Sequence, residues 1–109
     1  MSYNTTGIGA AFGKIVSGTT TVAASGTAER IRTTSTPIPG VWVAGDIGNT
    51  SVMVVGDSSV VGTSGSQQGI VIGPAESSIF IPINNLNLLY VDAASSGDKL
   101  IWAYLQPSF

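Results

Sequence analysis

Residues 79–105 read IFIPINNLNLLYVDAASSGDKLIWAYL, and this stretch decides the fold class. Its apolar and turn residues predict three consecutive β-strands. The Asn-rich run at 84–87 separates the first two, and Ser-Ser-Gly-Asp at 95–98 separates the last two. Asn, Asp and Ser favour turns because their side chains bond nearby backbone groups, and Gly accepts dihedrals that other residues resist. The strands are apolar on both faces. One set is Phe80, Leu89, Val91, Ile101 and Leu105; the other is Ile79, Ile81, Leu88, Tyr90 and Trp102. One of these sets is expected to fill a core and the other to meet a neighbouring subunit. Pro82 has no backbone N–H for a ladder, so its strand belongs at a sheet edge or carries a bulge.

Working outward, the same β pattern continues upstream to Phe12. Lys14 to Val16 reads as a short strand that pairs with Thr19 to Ala24 around a turn at Ser17-Gly18. Thr27 to Thr33 alternates, with Glu29 and Ile31 on one face and Arg30 and Arg32 on the other. Its charges suit an edge strand, where they discourage unwanted pairing. Pro37 and Pro39 mark a loop. Further short strands are expected at 41–44, 51–55, 58–61 and 70–72, each closed by Gly, Asp or Pro. The sum is an all-β domain, an antiparallel sandwich of jelly-roll-like type with about eight strands. Residues 1–18 are expected to form an extended arm and residues 19–109 the sandwich. The arm would reach a neighbour through Tyr3, Ile8 and Phe12.

Composition narrows function by exclusion. The 109 residues suit one domain with a real core. Charged residues are 9% of the chain, against about 25% in typical proteins, while hydrophobic residues are 43%. A free monomer ordinarily needs more surface charge for solubility, so an assembled state is expected. Lys14, Arg30, Arg32 and Lys99 are the only basic residues, too few for the electrostatic footprint of nucleic-acid binding. No apolar run approaches the ~20 residues of a membrane helix, and no basic, apolar leader opens the sequence. The expectation is a chain made in the cytoplasm, with neither nucleic acid nor membrane as a partner.

Catalytic chemistry has little to work with. The chain contains no His and no Cys, which removes imidazole- and thiolate-based nucleophiles and metal sites. Gly56-Asp57-Ser58 resembles the start of an esterase block, but no His is present to activate Ser58, and a turn after a strand accounts for it. Asp46, Asp57, Asp92 and Asp98 all fall at expected turns, where Asp bonds local amides. Asp46 with Asn49 lacks the alternating acidic spacing of a calcium loop. Neither enzyme activity, nor a metal, nor a cofactor is expected. The aromatics Trp42, Phe80, Tyr90, Trp102 and Tyr104 fall about one to a strand, as in a sandwich core. A sugar platform would need two or three of them exposed together. Glu29, beside Ile31, belongs at an edge or against a basic group, because a lone buried carboxylate is costly.

Several phrases carry a resemblance: GVWVA at 40–44, VVGDSSV at 54–60, GIVIGPAES at 69–77, IPINNL at 81–86, LYVDA at 89–93 and SGDK at 96–99. Over about residues 27–105 the sequence resembles small virion proteins of tailed bacteriophages, of the capsid decoration or cement type. The resemblance implies a sandwich or jelly-roll domain that forms a dimer or trimer, binds the major capsid protein and stabilises the head at the capsid surface. Two alternatives go with it: a tail or baseplate component, and a surface module that binds a carbohydrate receptor. Contact residues expected on this reading are Tyr3, Ile8, Phe12, Glu29, Arg30, Arg32, Phe80, Pro82 and Leu89.

Overall fold

The computed structural model describes residues 13–63, 65–74 and 77–106. Eight strands follow one another: β1 (Lys14–Thr21), β2 (Glu29–Arg30), β3 (Val41–Gly45), β4 (Met53–Gly56), β5 (Ile70–Ile72), β6 (Ile79–Ile81), β7 (Tyr90–Ala93) and β8 (Lys99–Gln106). The only helix among the described residues is a single 3-10 turn, Leu86–Leu88. No helix among them is long and apolar enough to cross a membrane.

The strands form two antiparallel four-stranded sheets, ordered β1-β8-β3-β6 and β2-β7-β4-β5. Pairing is nested: β1 with β8, β2 with β7, β3 with β6 and β4 with β5, joined within each sheet by β3–β8 and β4–β7. A long hairpin rolled so that successive pairs fall in alternate sheets is the jelly-roll arrangement, so the all-β sandwich expected from the sequence is the observed fold.

The core lies between the sheets. Val41, Val43, Leu100, Trp102 and Tyr104 point inward from the first sheet, and Met53, Val55, Ile72, Val91 and Ala93 from the second. Trp102 also ties the layers with polar contacts. Its indole N–H donates to the Thr20 hydroxyl at 3.0 Å, and that hydroxyl donates to the Ile31 carbonyl at 2.9 Å. A buried indole N–H without a partner would be costly, so Thr20 fixes where this ring can sit.

Three expectations need correction. The first concerns Ser17-Gly18, which makes no turn. β1 runs straight through it, with Lys14 paired to Gln106 and Thr21 to Lys99. Among the described residues the sheet therefore starts at Lys14, and the boundary expected at residue 18 falls inside a strand. Gly18 is there for space: a Cβ on it would lie 2.3 Å from the Trp102 ring. Gly18→Ala should accordingly lower stability by about 1–3 kcal/mol through overpacking. A urea midpoint equal to wild type would count against this account.

Second, neither apolar set of residues 79–105 lies wholly inside. β7 belongs to the opposite sheet from β6 and β8, so its inward positions have the reverse parity. Leu89 and Val91 are buried with Trp102, while Phe80 and Ile101 face out. Third, the alternating segment 27–33 contributes only two residues of strand, Glu29 and Arg30, although it sits at a sheet edge as expected. The strand before Pro82 is also an edge strand, and it ends at Ile81.

Candidate functional site

The four aspartates expected at turns act as fasteners. Asp46 accepts from the Gly48 amide, which closes the turn after β3. Asp57 accepts from the amide and hydroxyl of Ser59, and these bonds hold its carboxyl below the usual carboxylate range. The Gly56-Asp57-Ser58 tripeptide is therefore part of a turn closed on Ser59.

The other two aspartates reach far beyond their own turns. Asp98 is buried, and its Oδ1 takes the Thr50 amide and hydroxyl while Oδ2 takes those of Ser51. Burial pushes this carboxyl up, but the four bonds from Thr50 and Ser51 outweigh it and hold the group below the usual range. Next to it, the Asn49 side chain grips Lys99 at both backbone atoms, donating to its carbonyl and accepting from its amide. The β3–β4 connection is thus latched to the start of β8.

Asp92 lies in β7, not in a turn, and is fully buried on the outward side of the second sheet. Its oxygens accept the amides of Gly26, Gly62 and Ala93. Gly62 comes so close that a Cβ there would lie 2.5 Å from the Ala93 nitrogen. The β4–β5 connection therefore lies flat on this side of the sheet and keeps Val54 buried.

On that side Val54 and Asp92 are covered and Val71 stays exposed, whereas the outward side of β1-β8-β3-β6 carries a larger exposed apolar set. Facing out in register are Ser17, Ala103, Trp42 and Phe80 across the four strands, flanked by Thr19, Ile101 and Ala44 on one side and Ile15 with Leu105 on the other. Four large apolar side chains are open to solvent: Ile15 at 72%, Phe80 at 45%, Trp42 at 40% and Ile101 at 39%. The Trp42 and Phe80 rings meet at 4.7 Å with an interplanar angle of 56°. Among the described residues at outward parity, charge enters at the end where Asp46 and Lys99 follow the β3–β8 register. This contiguous, largely apolar face is the candidate interaction surface among the described residues.

The expected contact residues scatter around the molecule. Phe80 lies in the outward face and Pro82 is exposed just beyond β6. Leu89 is only 2% exposed and packs in the core, so it is not a contact residue. Glu29 is at the edge, and its carboxylate accepts the amides of Ala23 and Ala24. Arg30 bonds the Tyr90 hydroxyl at 2.7 Å and stacks over that ring, and Arg32 reaches the Tyr104 hydroxyl. These three side chains thus have intramolecular roles. Tyr3, Ile8 and Phe12 lie outside the described residues. Trp42 and Ile15 are not among the expected contacts, and Ile101 is expected only as a member of one of the two apolar sets. The usable signal was apolar residues at outward parity on neighbouring strands, which needs the strand order to read.

Among the described residues no three metal-binding side chains converge. No protein-family model, curated protein or solved structure matches the chain.

Proposed function

We propose that this chain is a non-enzymatic structural protein of a tailed-phage virion, of the capsid decoration type, acting as a dimer or trimer that docks on the major capsid protein through the outward face of β1-β8-β3-β6. The observation that carries the reading is that face: four exposed large apolar residues on the outward side of one four-stranded sheet. The sequence resemblance gives the setting. Binding to the assembled shell and not to free subunits stabilises the shell by mass action. Many copies acting together add avidity to individually modest contacts.

The carbohydrate-binding alternative is less well served. Trp42 and Phe80 are exposed together, but they tilt into each other rather than form one plane. In register beyond Trp42 stand Ala103 and then Ser17, and none of these described positions carries an Asn or Asp to bond a sugar hydroxyl.

The test is binding of purified protein to expanded empty capsids, read by co-sedimentation and by the capsid disruption temperature. Wild type should bind and raise that temperature. Trp42→Ser with Phe80→Ser should weaken binding by about 30-fold or more, as removal of interface anchors does. Unfolding midpoints should move by no more than about 1 kcal/mol, because both side chains are largely outside the core. Failure of wild type to bind capsids at saturating concentration would refute the proposal.

A further inference from the structure

We propose that β1 pairs antiparallel with β1 of a second copy across a two-fold axis at Gly18, joining two four-stranded sheets into one. This rests on the preceding reading for the expectation of an oligomer, and it chooses the dimer. The contact lies at the edge of the sheet and leaves its outward face open. Among the described residues no strand pairs with the far side of β1.

Sheet edges invite pairing, and folded proteins blunt them with short strands, Pro or charge. Three of the four described edges are blunted in this way. β5 and β6 have three residues each, with Pro82 just past β6, and β2 has two, both charged. β1 has eight residues, contains no Pro and keeps its one charge at Lys14. Its register with β8 runs unbroken from Lys14 to Thr21, so no bulge bends this edge away.

The ladder fixes which backbone groups the edge offers. The Asp46 amide bonds the Lys99 carbonyl on the β3 side of β8, and the Val22 amide bonds the Asp98 carbonyl on the β1 side. Backbone groups alternate sides along an antiparallel strand. Val16, Gly18 and Thr20, paired with Tyr104, Trp102 and Leu100, therefore turn theirs toward β8. Ile15, Ser17, Thr19 and Thr21 turn theirs away from it, and all four residues are exposed. The next outward amide, that of Ala23, is taken by the Glu29 carboxylate at 2.8 Å, which closes the edge there.

These four residues complement themselves. An axis at Gly18 sets Ile15 opposite the partner's Thr21 and Ser17 opposite the partner's Thr19, and each such pair exchanges two backbone bonds. Lys14 falls opposite the partner's Val22, about 27 Å along the strand from the partner's Lys14, so like charges do not meet. Val16, partly buried at the rim of the core, gains the partner's Thr20 beside it. Moving the axis to Ser17 would set Thr21 opposite Gly13, outside the strand. An antiparallel pair of identical strands is closed by its own two-fold, so this edge makes a dimer and not a trimer.

Sedimentation equilibrium and amide hydrogen exchange, both over a dilution series, test the pairing. Wild type should dissociate from dimer to monomer on dilution. The amides of Ile15, Ser17, Thr19 and Thr21 should lose protection in step, while those of Val16, Gly18 and Thr20 keep theirs. Ser17→Pro removes an outward donor that the β8 ladder does not use. It should weaken self-association about 30-fold or more, since each dimer loses two donors. Charge variants keep that donor, should the proline unfold the chain, and also read the register. Ser17→Lys with Thr19→Lys should abolish the dimer through opposed lysines, and Ser17→Glu with Thr19→Lys should restore it. A trimer, a monomer at every concentration, or a dimer that none of these variants weakens would overturn the proposal. Capsid binding is scored separately: a dimer that behaves as expected but binds no capsid would leave the β1 pairing standing and remove the proposed capsid partner.

Discussion

Asp92→Ala is expected to cost about 3–5 kcal/mol, a large fraction of the ~5–15 kcal/mol that holds a domain of this size together. The substitution removes one carboxylate and orphans three backbone donors, the amides of Gly26, Gly62 and Ala93. An unsatisfied buried donor costs about 1–3 kcal/mol, and bonds to a charged acceptor are the stronger kind. Asp92 is fully buried, so water cannot take its place without opening the structure. Urea unfolding followed by tryptophan fluorescence measures the loss, and hydrogen exchange at the Gly62 amide reports whether the β4–β5 connection has lifted from the sheet. Asp92→Asn, which keeps one acceptor oxygen, should fall between the two. A loss under about 1 kcal/mol for the alanine variant would mean that the loops are held by packing alone.

Asp98→Asn should cost about 2–3 kcal/mol at neutral pH and should change how stability depends on acid. The amide keeps one oxygen for the Thr50 pair but turns an NH₂ group toward the Ser51 amide, where an acceptor is needed. The sign of the pH effect follows from the lowered carboxyl. Its stabilisation is complete above the unfolded value of about 3.9 and is lost as pH falls through the lower folded value. Wild type should therefore lose stability below about pH 4 more steeply than Asp98→Asn, and the gap between them should narrow toward pH 2. Unfolding midpoints across pH 2–7 give both curves. Parallel curves would show that Asp98 is not the group being titrated.

Much of this architecture can be read from the chain, for physical reasons that also mark where reading stops. Strand and turn identity are local. The Ser-Ser-Gly-Asp turn at 95–98 and the edge position of the strand before Pro82 follow from dihedral preferences and a missing donor. Sheet membership is not local. Because β7 crosses to the other layer, Leu89 and Val91 are core while Phe80 and Ile101 are surface. No alternation within one strand reveals that change of parity. The aspartates divide in the same way. Asp46 and Asp57 serve their own turns, whereas Asp92 and Asp98 bond loops far away in sequence. Ser17-Gly18 has the composition of a turn, and only the Trp102 ring packed against it explains a glycine inside a strand. The outward apolar face combines both limits, since Ile15, Trp42, Phe80 and Ile101 come from four different strands.

The nesting of β1 against β8 also sets a timetable for synthesis. The first described strand finds its hydrogen-bonding partner only in the last one. β1 therefore waits unpaired until β8 has left the ribosome. Closing so long a loop comes late and slowly, and all-β chains of this kind fold in roughly milliseconds to seconds. The sheet that carries Ile15, Trp42, Phe80 and Ile101 is accordingly completed last. Self-association is most hazardous in that interval, and an edge strand such as β1, whose KIVSGTTT sequence carries its one charge at the first residue, has little along its length to discourage it.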